Sequence, residues 1–169
     1  MRNLILTFSI VTILVFGCIT YLRFDSYGNT FEKRQNIINK NIKNQNVKIL
    51  SELEFQGHII CELSSDKKYG YAMFSLNRSG DFLLNKWYMK NSNMIIDLVR
   101  IDSNSYDILM CSKPNLEYVE RIVTDSKTGD VASKKIKLLG ENIAIALSPD
   151  LSSYELNVRF VDKQGNIFE

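Results

Sequence analysis

The sequence predicts a mainly β protein: an N-terminal membrane helix, a polar connector and an antiparallel β-sandwich. Three observations carry this reading. Leu4 to Leu22 is an apolar run without charge, bracketed by Arg2 and Arg23. From Val47 onward, short stretches of alternating β-formers recur about every 10 residues. The breaks between them carry the Gly, Asn, Asp, Ser and Pro of turns. Of the 169 residues 45% are hydrophobic and 11% aromatic, so the body is rich enough in apolar side chains to offset chain entropy. The divisions that follow are 1–24 for the membrane segment, 25–46 for the connector and 47–169 for the β-sandwich domain.

At about 1.5 Å per helical residue, the Leu4–Leu22 run matches the roughly 30 Å of hydrocarbon in a bilayer. Three fates fit such a run: a retained anchor, a cleaved signal peptide, or a lipoprotein signal cut before Cys18. Val15-Phe16-Gly17-Cys18 resembles a bacterial lipobox, which makes Cys18 a candidate for lipidation. Phe16 is bulky where a lipobox has a small residue, and Ile19 to Leu22 stay apolar where a polar tether normally begins, so a retained anchor is preferred. Arg2 stands alone before the run while Arg23, Lys33, Arg34 and Lys40 follow it, and that count favours a body kept inside. A short basic start before an apolar run is nevertheless the form of an export signal, and long following domains cross largely regardless of charge. The expectation is one N-terminal anchor in the cell membrane with the body extracytoplasmic.

In the connector, Asn29 and Glu32 have the spacing of a capping box, and Phe31, Ile38 and Ile42 share one helical face with Ile37 beside it. A short amphipathic helix follows, resting on the membrane or on the domain. The Asn and Lys that dominate Asn36 to Lys48 read as a solvated spacer.

The expected strands are His58–Leu63, Tyr69–Leu76, Asp81–Tyr88, Met94–Ile101, Tyr106–Cys111, Tyr118–Thr124, Ala132–Leu138, Ile143–Leu147 and Tyr154–Val161, with Ile167-Phe168 closing. Tyr118 to Val123 also suits a helix. With no long helix inside the body, this spacing favours two antiparallel sheets packed face to face over βαβ units, an Ig-like arrangement being one option. Tyr69–Leu76 is apolar on both faces, as a central strand is, whereas Tyr154–Val161 alternates Leu156, Val158 and Phe160 with Asn157 and Arg159. Trp87, the only Trp, is expected in the core.

The chemistry is sparse. A formal charge of +2, with both signs interspersed, does not suggest a nucleic-acid partner. The single histidine, His58, sits in an apolar strand with Cys61 three residues on, and reads as structural. Cys61 and Cys111 are either a disulfide or two buried thiols. No metalloprotease, nucleophile-elbow, Walker or dinucleotide motif occurs, so no catalytic, cofactor or metal residue is assigned. Asp125 to Asp130 and Asp162 to Asn166 carry oxygens that suit a cation, but Lys127 and Lys163 favour plain hairpin turns. Asp97, Asp102, Asp107, Glu117 and Glu120 are the carboxylates available to any glycosidase-like pair.

The stretches "ILSELEFQGHIICEL", "KYGYAMFSL", "NLEYVERIVTDSKTGDVASKKIKL" and "VRFVDKQGNIFE", after a hydrophobic N-terminus and an Asn/Lys-rich connector, resemble small membrane-anchored or lipoprotein-like proteins of low-GC Gram-positive bacteria. That resemblance implies an extracytoplasmic β-domain and brings no catalytic residue. The function expected is a membrane-tethered interaction domain for a protein or cell-envelope partner. The alternative is a small envelope enzyme or ligand carrier using carboxylates and Tyr in a cleft.

Overall fold

In the computed structural model, which describes residues 27–43 and 46–169, one helix precedes eleven strands. Helix α1 (Phe31–Asn41) leads into β1 (Lys48–Phe55), β2 (His58–Ser64), β3 (Tyr69–Leu76) and β4 (Phe82–Lys90). These four strands form one meandering antiparallel sheet. Next come β5 (Met94–Ile101), β6 (Asn104–Cys111), β7 (Leu116–Asp125), β8 (Val131–Lys137), β9 (Ile143–Leu147), β10 (Tyr154–Asp162) and β11 (Ile167–Phe168). They divide into a sheet ordered β5-β6-β9 and a sheet ordered β11-β10-β7-β8. The Leu4–Leu22 run and Cys18 lie outside the described residues. Among the described residues no helix is long and apolar enough to cross a membrane.

Three sheets, where two were expected, follow from the middle one. Strand β6 sends Tyr106, Ile108 and Met110 into a core shared with Ile60, Tyr69, Tyr71 and Met73 of the first sheet. Its alternate residues Leu109 and Cys111 enter a second core with Leu116, Val119, Val158 and Phe160 of the third. A strand apolar on both faces needs a cover on each side, so the middle sheet is sandwiched. An Ig-like arrangement is not adopted: each of the first four strands pairs with its sequence neighbour, and no strand pairs across two facing sheets.

On its other face the first sheet receives α1, through Ile37, Ile38 and Ile42 against Cys61, Leu63, Ala72 and Phe74. Much of the connector is therefore part of the core, and Val47, within the expected spacer, is buried with it. The helix is capped by Thr30, whose Oγ1 accepts from the Lys33 N–H, and not by Asn29. Asn29 instead accepts from the Phe82 N–H at 2.8 Å and donates to Asp81 Oδ1 at 2.8 Å, pinning the chain to the start of β4.

One strand is added to those expected, and at Tyr118 to Val123 the expected strand forms and not the helix that segment also suits. Lys48–Phe55, with its run of Ser and Glu, is an edge strand joined to β2 through Gln56 (φ 48°) and Gly57 (φ 71°), the two left-handed residues of a tight hairpin. Tyr118 to Val123 is extended and lies inside β7, between β10 and β8.

Candidate functional site

Each contact between layers carries a polar tie. Arg34 of α1 bonds Glu52 of β1 through Nε at 2.7 Å and Nη2 at 2.5 Å, and the Gly28 carbonyl through Nη1 at 2.6 Å. Glu62 of β2, fully buried, accepts from Ser51 (2.6 Å), Tyr69 (2.9 Å) and Asn142 just before β9 (2.9 Å). Asp97 of β5 accepts from the Tyr71 hydroxyl at 2.5 Å and from Lys86 Nζ at 2.6 Å. Asp107 of β6 accepts from Arg121 of β7 at 2.9 Å and Ser148 at 2.8 Å, and Arg121 Nε is buried with no hydrogen-bond partner. Burial pushes the Tyr69 and Tyr71 hydroxyls up, so both stay neutral and donate to their carboxylates.

Of the acids that the sequence offered for catalysis these ties occupy Asp97 and Asp107, while Asp102 and Glu117 are exposed. Asp97 and Asp107 serve different interfaces, while Glu120 accepts from Ser133 at 2.8 Å and lies 3.9 Å from Arg159. Among the described residues no group of three or more His, Cys, Asp or Glu converges to hold a metal. Asp125 caps its own turn by accepting from the Lys127 N–H at 2.7 Å, and Asp162 does so from the Gln164 and Asn166 N–H groups. His58 Nδ1 lies 2.8 Å from the Gln56 carbonyl at the β1–β2 turn. Cys61, three residues on, is on the opposite face of β2, so the two do not form a dyad. Cys61 and Cys111 are not brought together either: both are free thiols, one in the core under α1 and the other between the second and third sheets.

What remains is a set of exposed apolar side chains. Strands β4 and β5 are edge strands of the first and second sheets, and the Lys86–Asp97 pair links them. They expose Leu83, Trp87, Tyr88, Ile96 and Leu98, with Trp87 42% and Leu98 54% accessible. Trp87 was expected in the core. The register slips by one residue between Met73 and Phe74, which leaves Asn85 as an extra residue in β4. Beyond that bulge, Trp87 opposes small Ala72 at the open margin of the sheet. The sequence offers no sign of the bulge, which is why the exposed Trp is missed.

Beside β5 a cavity of about 500 Å³ runs from Ile96 to Leu156, Val158 and the Arg159–Glu169 pair. On one side the first half of β10 is open, because β11 pairs only with Phe160 and Val161. Edge backbone flanked by aromatic and branched side chains can accept an extended segment or an apolar patch, and it holds no nucleophile. A larger cavity, about 610 Å³, lies among the loops around Pro114 and Gly140, where Lys137 and Lys163 alternate with Glu117 and Glu141. The fold and these edge strands define a small antiparallel β-domain with exposed apolar side chains at its margin. Comparison of the chain with protein-family models, with curated proteins and with solved structures gives no match.

Proposed function

We propose that the chain is a membrane-tethered, extracytoplasmic interaction domain whose exposed β4 and β5 edge strands bind a protein or cell-envelope partner. The observation that carries this reading is the set of five large apolar side chains exposed on two edge strands. Leu83 and Tyr88 lie on the face of β4 that carries Lys86, Trp87 on its other face, and Ile96 and Leu98 on the face of β5 away from Asp97. Trp and Tyr are the usual anchors of interfaces, and here both are exposed on an edge strand. The Leu4–Leu22 run supplies the tether and raises the local concentration of the domain at its partner. Lipidation at Cys18 would leave the body at the same membrane. The enzyme or carrier alternative needs carboxylates converging in a cleft; in the larger cavity Glu117 and Glu141 lie among Lys137 and Lys163, while Asp97 and Asp107 are paired at different interfaces.

The test is a photo-crosslinking amino acid at Leu98 or Trp87, with Val131 on β8 as an exposed control, in intact cells carrying a tag after Glu169. A discrete adduct from Leu98 or Trp87, the Leu98 adduct disappearing with a neighbouring Ile96→Glu change, and none from Val131, is expected. The tag should be lost when intact protoplasts are treated with protease. Equal labelling from all three positions, or from none, removes the interaction site, and a protected tag puts the body inside.

A further inference from the structure

The end of the first sheet that receives the chain carries its own apolar rim. The Gly28 N–H donates to the Phe82 carbonyl at 2.7 Å, and Asn29 bonds both Asp81 and Phe82. Leu76 opposes Phe82 in the β3–β4 register, and Leu83 opposes Ser75. Leu76 is 50% exposed; Leu83 and Phe31, two residues past Asn29, are exposed as well. Arg78 is exposed in the turn between β3 and β4. Leu76, Phe31 and the cation Arg78 thus lie at the end of the sheet where the incoming chain is fixed.

The sequence limits how far this rim can stand from a membrane. Leu22 ends the apolar run, and 28 − 22 = 6 steps separate it from Gly28. Six residues reach at most about 20 Å even when fully extended. The headgroup layer fills about 5–8 Å of that, half the difference between a bilayer's full thickness and its core. The geometry points to a lipid surface as the occupant of the rim. Leu76 and Phe31 enter the boundary between headgroups and acyl chains, and Arg78 meets the phosphates. The Ser64–Lys68 turn, at the far end of β2 and β3, then faces away from the bilayer. This inference rests on the anchor reading.

The test uses the full chain in phosphatidylcholine–phosphatidylglycerol vesicles. Trp87→Phe removes the only Trp. In that background Leu76→Trp or Phe31→Trp puts a reporter at the rim, and Asp66→Trp puts one in the far turn. Lipids brominated near the headgroup end of the acyl chain quench a shallow indole. Both rim variants should lose emission in brominated vesicles relative to plain ones, while Asp66→Trp keeps its emission. Flotation separates the two ways of failing. A chain that does not float with vesicles refutes the anchor and this inference with it. A chain that floats, yet shows no quenching at either rim position or equal quenching at the far turn, overturns the seating alone.

Discussion

Replacing Arg34 with Met tests how the helix is held to the first sheet. The guanidinium side chain is 8% exposed and grips both oxygens of Glu52 while also meeting the Gly28 carbonyl. Hydrogen bonding to Glu52 pushes the Arg34 guanidinium further up, so pH does not release the pair from the arginine side. Methionine keeps the stem but leaves the carboxylate facing the Cys61 thiol at 3.5 Å, a weak donor. Removing one partner of a buried pair costs about 3–5 kcal/mol, and because Glu52 is 21% exposed the lower end, about 3 kcal/mol, applies. With a urea slope of about 1.5–2 kcal/mol/M, the midpoint falls by about 1.5–2 M. The assay is a urea titration of the full chain in mild detergent, followed by Trp87 emission and far-UV circular dichroism. Arg34→Met/Glu52→Leu should recover much of the loss, since no unpaired charge then remains. A single-variant loss below about 1 kcal/mol, the worth of an exposed pair, refutes the reasoning, as does a double variant that loses the sum of the two single changes.

Gly70→Ala should be among the most damaging single changes, costing more than about 4 kcal/mol, because the added Cβ would sit 1.9 Å from the Tyr88 carbonyl oxygen. Gly129→Ala, with open space but φ 77°, should cost only about 1–2 kcal/mol in the same urea titration, and similar losses at both sites would contradict this. Burial pushes the Cys61 and Cys111 thiols up, so a Cys18→Ser chain should react slowly with a thiol reagent when native and yield two thiols in urea without reductant. Fewer than two would reveal a bridge. Hydrogen bonds from Asn166 and the turn amides hold the Asp162 carboxyl below its usual range. Its stabilisation is therefore complete above the ordinary carboxylate value and lost as pH falls through the lower folded value. Stability of Asp162→Asn should decline less steeply in acid than that of the parent, and parallel acid limbs would count against the assignment.

The strand positions were legible because alternation and turn residues are local signals: Tyr69–Leu76 and Met94–Ile101 match β3 and β5 as expected. The partition into sheets was not, since it depends on what covers β6, a property of residues far away in sequence. Lys48–Phe55 escaped because Ser51, Glu52 and Glu54 dilute its apolar pattern, although Glu52 is spoken for by Arg34 and Ser51 by Glu62. The buried acids were equally hidden: nothing near Glu62 in the sequence announces that its partners are Tyr69 and Asn142, the latter 80 positions away. The exposure of Trp87 turned on one extra residue in β4, which composition does not reveal.

The order in which strands join the middle sheet has a consequence for synthesis. The first sheet is a succession of hairpins, each able to close as soon as its second strand is made. β6 differs, because its second partner, β9, comes only after the β7–β8 hairpin, and the tie between Asp107 and Ser148 spans 41 positions. At ribosomal rates of about 5–20 residues per second, the 143 − 111 = 32 residues from Cys111 to Ile143 take roughly 2–6 seconds. During that interval one edge of β6, a strand apolar on both faces, is complete and unmatched. Chaperone contact with the nascent chain should concentrate in this window, and a ribosome paused before Ile143 should yield the most aggregation-prone intermediate.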